Sequence, residues 1–315
     1  LTFTEFVTAA MYPVRFVVYL SLYFQAKELS SYNRRFAIVA MVGVGTMVTL
    51  LGFVQLIFYP ALRNLYYLGW DEHLYRMFSV FLDPNFASAF FVIFLLFILD
   101  NLLRLKNLFL RLCLGGSGFL AALAVFLTYS RTGFIMLLFG LGTYLLLYVR
   151  ARTALVTLGL CFVVLLLVSN TRIEGLNPLR VASTEARLQS AQHAVAIFGK
   201  FPVLGVGFNA FRYAQVKMGY RSLDTQFVNH ADAGTDNSYL FVLATTGIIG
   251  FGIVMTFWII CYKKLFLQAR NTIFPARGLV SGITALLVGT LFLNIMFYPM
   301  IVMWLCLEAG LIRNN

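Results

Sequence analysis

Three arginines, Arg76, Arg131 and Arg187, stand beside clusters of polar residues in a 315-residue chain that is 61% hydrophobic and only 11% charged. A guanidinium pairs with phosphate oxygens through a planar fork of donors, so arginines converging on one cleft suit a lipid-linked phosphate or diphosphate. Arg131 is the most pointed of them, because YSRTGF joins two apolar runs so closely that its side chain must sit at a membrane face. The plainer role for any arginine beside a span is an anchor, with its stem in lipid and its head among headgroups. Arg187 falls in TEARLQSAQHAVAIFGKFP, whose periodicity predicts an amphipathic helix on the bilayer surface. Its expected buried face is Ala186, Leu188, Ala191, Ala194, Ile197 and Phe198.

Carboxylates and imidazoles gather in the same segments. Asp71, Glu72, Asp83, Glu174, Glu185, Asp224, Asp232 and Asp236 make up eight of the twelve acidic residues, and His73, His193 and His230 are all of the histidines. In VNHADAGTDNSYL, His230, Asp232, Asp236 and Asn237 come just before an apolar run. Asp236 is there either a helix N-cap or a general base, with His230 a second candidate for the base. His230 and Asp232 lack a third strong ligand at suitable spacing, so no metal is expected. Gly205-Val206-Gly207 has no strand before it and no Gly-Lys-Ser/Thr after it, and reads as a turn against the membrane rather than a nucleotide loop.

So little charge cannot cover a water-soluble surface, and the apolar runs recur at lengths near the roughly 20 residues that a helix needs to cross a bilayer. The expected fold is all-α, a polytopic transmembrane helix bundle of about nine spans. They lie near 7–25, 36–58, 86–99, 112–129, 133–149, 154–169, 238–260, 278–297 and 299–312, with one large loop over 170–236. The third, sixth and ninth are short for a full crossing. The runs are continuously apolar rather than alternating, which argues against membrane strands. Residues 1–315 are expected to form a single domain, and the chain, opening on Leu1, is expected to lack earlier spans of a longer protein.

Lys and Arg accumulate in short cytoplasmic loops. Lys27, Arg34 and Arg35, then Arg104, Lys106 and Arg111, then Arg150 and Arg152, then Lys263, Lys264, Arg270 and Arg277, and finally Arg313 mark one set of alternate connections. That set is expected in the cytoplasm and the 170–236 loop outside, so the net charge of +12 follows from topology and no nucleic acid is expected as a partner. Cys113, Cys161, Cys261 and Cys306 lie in the spans as small core residues.

The order and spacing of four motifs resemble a known family. Arg76 followed by LDPNFASAF, the YSRTGF hairpin, Arg187 leading through FGKFPVLGVGFNAF, and DNSYLFVLATTGIIG are similar to the bacterial O-antigen ligase and polymerase superfamily of membrane glycosyltransferases. The resemblance implies an enzyme of the bacterial inner membrane that moves a glycan from undecaprenyl diphosphate to a glycan or lipid acceptor at the periplasmic face. No nucleotide sugar, cofactor or catalytic metal is implied; membrane lipids and a chain-length regulator are the further partners. It also implies that Arg131 and Arg187 hold the diphosphate with help from Arg76, that Asn85 and Asn237 belong to the substrate-binding set, and that the residue before Asn237 activates the acceptor hydroxyl. Ligases that act on lipid A core usually carry His there, whereas this chain has Asp236, which is more like the polymerases. Polymerase is therefore the leading expectation, and ligase to lipid A core or protein the near alternative. A lipid-linked sugar transporter is a reading of another class; such carriers usually place polar groups near the bilayer midplane, whereas these gather on one face.

Overall fold

The computed structural model describes residues 3–68, 71–148, 159, 181–220, 234–271 and 276–312. In chain order its helices are α1 (Phe3–Lys27), α2 (Ser31–Phe58), α3 (Pro84–Leu102), α4 (Leu108–Leu127), α5 (Arg131–Tyr148), α6 (Val181–Lys200), α7 (Phe211–Lys217), α8 (Ser238–Asn271), α9 (Ala276–Gly289) and α10 (Pro299–Leu311). No strand occurs among the described residues, and α2, α3, α4, α5 and α8 are long and apolar enough to cross a membrane. The protein is a polytopic helical membrane bundle. The expected span near 154–169 lies, Gly159 excepted, outside the described residues, as do His230, Asp232, Asp224, Glu174 and Cys161.

One expected boundary is corrected. The run at 278–297 is helical only to Gly289, and residues 290–298 form an irregular turn before α10. Pro299 closes this turn, since it bars a helix from running through Tyr298, which is extended at φ −67° and ψ 122°, and opens α10.

Helix α3 is the centre. It is apolar all round, and Phe91, Phe94 and Ile98 are fully buried between α4, α5 and α9. Trp304 of α10 stands edge-on to Phe90, Phe94 and Phe97 at 5.2, 5.7 and 5.4 Å. By contrast α2 and α4 present Phe36, Val39, Met47, Phe109, Leu112 and Phe119 outward, an apolar face suited to the bilayer interior. The two sets of connections gather at opposite ends. At one end Arg34 donates to the Leu311 carbonyl at 2.7 Å, Arg104 pairs with Asp100, and Arg277 lies over the Tyr148 ring at 5.4 Å. The other is the loop end, which holds the candidate residues.

Helix α8 is broken at Gly247, where φ 63° and ψ −170° interrupt the helical ladder. A break in a membrane helix must have its backbone groups paired by protein. Here residues 202–207 do this. Ile248 and Ile249 donate to the carbonyls of Pro202 and Val203 at 2.8 and 3.4 Å, and Val206 and Gly207 donate to those of Ala244 and Thr245 at 3.1 and 2.8 Å. The turn expected at Gly205 is therefore a strap laid into a helix. A Cβ on Gly247 would stand 2.2 Å from the Val203 carbonyl oxygen in a backbone region open essentially to glycine alone. Gly247→Ala should cost about 1–3 kcal/mol from strain alone, lowering the thermal unfolding midpoint in detergent. Gly252→Ala, with open space around the site, should leave it unchanged.

Candidate functional site

At the loop end the segment after Arg76 docks on the turn between α4 and α5. Arg76 donates from Nε to the Thr128 carbonyl at 2.9 Å and from Nη2 to that of Tyr129 at 3.4 Å, and the Met77 amide donates to the Leu127 carbonyl at 2.9 Å. These carbonyls end α4 and have no partner within the helix, so Arg76 fixes the turn that leads to Arg131. Ser130 caps α5, its Oγ accepting from the Gly133 amide at 3.2 Å while donating to Asn85 Oδ1 at 2.9 Å. Asp83 caps α3, accepting from the amides of Asn85 and Phe86 at 2.6 and 3.3 Å. Arg76, Asn85 and the half-buried Arg131, expected together from the sequence, are thus held at one place by caps and turns.

The second half of the site comes from α6 and α8. Arg187 Nε lies 3.9 Å from Asp236 Oδ2, an ion pair between residues 49 apart in the chain, with 54% of the Asp236 side chain still exposed. Asp236 does not cap α8. That role falls to Asn237, whose Oδ1 accepts from the Leu240 amide at 3.0 Å and whose Nδ2 donates to the Leu291 carbonyl at 3.0 Å. Desolvation by the surrounding protein raises the Asp236 pKa above the ordinary carboxylate range; Arg187 pulls it down, and the charges of Asp83 and Asp71 push it up. Asp83, the cap of α3, ties Asp236 electrostatically to the start of that helix.

Helix α6 differs in detail from its expected face. Ala194 and Ile197 are buried against Phe211, Phe241 and Ala244, so the helix rests on α7 and α8, but Leu188 is 59% exposed. His193 stacks on Tyr220 with ring centroids 4.3 Å apart. His230, the alternative base, lies outside the described residues. Among the described residues no three His, Cys, Asp or Glu side chains are grouped to hold a metal.

The turn at 290–298 belongs to this end as well, and the sequence reading took most of it for a membrane span. It is stapled to the start of α8. The Ser238 amide donates to the Thr290 carbonyl at 2.9 Å, Ser238 Oγ donates to the Leu293 carbonyl at 2.9 Å, and the same hydroxyl accepts from the Met296 amide at 3.2 Å. The Tyr298 ring lies 4.6 Å from Phe86 and 6.1 Å from Phe81. Partial burial, with the Asp83 charge nearby, pushes its phenol up to about 12. Asn294 and Pro299 inside an apolar run were the available sequence signal.

The fold is that of a helical membrane bundle, with the candidate polar residues that it describes gathered at one end. Residues 116–255 match the family model described as O-antigen ligase, which bears out the resemblance to the O-antigen ligase and polymerase superfamily, a glycan-transferring kind of membrane enzyme. The match runs from within α4 to within α8 and takes in Arg131, Arg187, Asp236 and Asn237, while Arg76, Asn85 and the 290–298 turn fall outside it. No curated protein matches the chain.

Proposed function

We propose that the protein transfers a glycan from undecaprenyl diphosphate to an acceptor hydroxyl at the periplasmic face of the bacterial inner membrane, joining polysaccharide repeat units as a polymerase. The observation that carries this reading is the pairing of Arg187 with Asp236, within electrostatic reach of the Asp83 cap of α3. A cation suited to a leaving diphosphate and a carboxylate suited to an attacking hydroxyl belong to one site, so that both can serve the same sugar carbon. Charge builds on the diphosphate as the sugar–phosphate bond breaks, and Arg187 with Arg131 stabilises that charge more in the transition state than in the ground state. Asp236 takes the proton from the acceptor oxygen as the new glycosidic bond forms. Its raised pKa brings its basicity nearer to the operating pH. Ligation to lipid A core or protein is the second reading, favoured by the description of the matched family.

The two differ in acceptor, so purified protein given only lipid-linked repeat units separates them. A polymerase lengthens lipid-linked glycan from that mixture, also in the presence of a chelator. A ligase makes no product until lipid A core or protein is added. Absence of transfer under both conditions by normally folded protein would sink the proposal.

A further inference from the structure

At the loop end most polar side chains are already committed to the fold. Asn237 spends both ends of its amide on Leu240 and Leu291, Ser238 bridges Leu293 and Met296, and the Tyr239 hydroxyl donates to the Leu287 carbonyl at 2.8 Å. Arg76 and Ser130 are used in the same way. None of these can turn to a sugar without dismantling a cap or a turn. Two polar groups of the 290–298 turn are different. The Asn294 amide and the Tyr298 hydroxyl make no hydrogen bond among the described residues, and both side chains are partly exposed. Asn294 reaches toward the chain just before Asp236, since its Nδ2 lies 2.6 Å from the point a Cβ on Gly234 would occupy. Only glycine leaves the carboxamide room to lie there. Tyr298 faces the Asp83 end of the site with its ring fixed against Phe86 and Phe81.

We propose that Asn294 and Tyr298 form the acceptor subsite, which binds the hydroxyls of a pyranose so that one of them is presented to Asp236. The chemistry fits: a carboxamide both donates and accepts, and a phenol adds a second donor and acceptor, which is the set that neighbouring sugar hydroxyls require. An anionic diphosphate would be served poorly by this wall, where Asp83, Asp71 and Asp236 add negative charge. The inference rests on the transferase reading and assigns its acceptor side to a turn outside the matched region.

The test is steady-state transfer by Tyr298→Phe and Asn294→Ala protein with acceptor glycan and lipid-linked donor varied separately. Tyr298→Phe keeps the ring and its packing, so it removes the hydroxyl without disturbing the turn. Each variant should raise the acceptor KM by roughly three- to tenfold, the worth of one hydrogen bond, and leave the donor KM unchanged. A rise in the donor KM alone, or no change in either, would overturn the subsite while wild-type transfer kept the enzyme reading intact. If wild-type protein makes no glycan product at all, both fall together.

Discussion

Asp236→Asn should reduce transfer by on the order of a hundredfold to ten-thousandfold, the usual worth of a positioned general base, while the protein still folds and inserts normally. The fold is spared because the cap of α8 is Asn237, and the side chain at 236 accepts from no backbone amide among the described residues. Only the charge and its pairing with Arg187 are lost. The pH dependence supplies an independent check. A base must be deprotonated, so kcat/KM should climb with pH through the Asp236 pKa, and desolvation places that rise above the ordinary carboxylate range. Arg187 favours the charged carboxylate, so Arg187→Gln should move the rising limb to still higher pH. An Asp236→Asn protein with near wild-type turnover and the same profile would move the base elsewhere, with His230 the next candidate.

Arg187→Lys should lower activity by roughly tenfold to a hundredfold, about 1.4–2.7 kcal/mol in the barrier. Lysine keeps the positive charge but offers a point donor in place of a fork, so a diphosphate held by paired hydrogen bonds loosens. A helix anchor would tolerate the change. The substitution is also structurally mild, because α6 is held by Ala194 and Ile197, two to three turns further along the helix, and Arg187 is about one-third exposed. Unfolding midpoints should therefore match those of wild type, and the loss should appear in turnover of the lipid-linked donor.

The parts of this architecture that the sequence made legible are those written in side-chain chemistry. Long apolar runs marked the helices, and basic residues sorted the connections into the two sets that gather at opposite ends of the bundle. Arg187 and Asp236 stood out because charge is costly in such a chain, although their contact, 49 residues apart, could not be read from spacing. The parts that escaped are written in the backbone. Residues 290–298 carry LFLNIMFY and look like span, yet Pro299 and the Ser238 staple make them a turn. The strap of residues 202–207 in the broken α8 depends on four amide–carbonyl pairs and on glycine at 205 and 247, which leave no mark beyond the glycines themselves. The Asp236-Asn237 pair was ambiguous for a further reason. Either residue type can cap a helix, and only the Leu240 contact decides between them.

The most direct test of the central claim follows the leaving group. Purified protein in lipid nanodiscs, given undecaprenyl-diphosphate-linked repeat units and an acceptor, should release one undecaprenyl diphosphate for each glycosidic bond formed, and Asp236→Asn and Arg187→Lys should slow both in parallel. Intact donor recovered with no diphosphate released, while the same protein in vesicles carries that donor across the bilayer, would contradict the account.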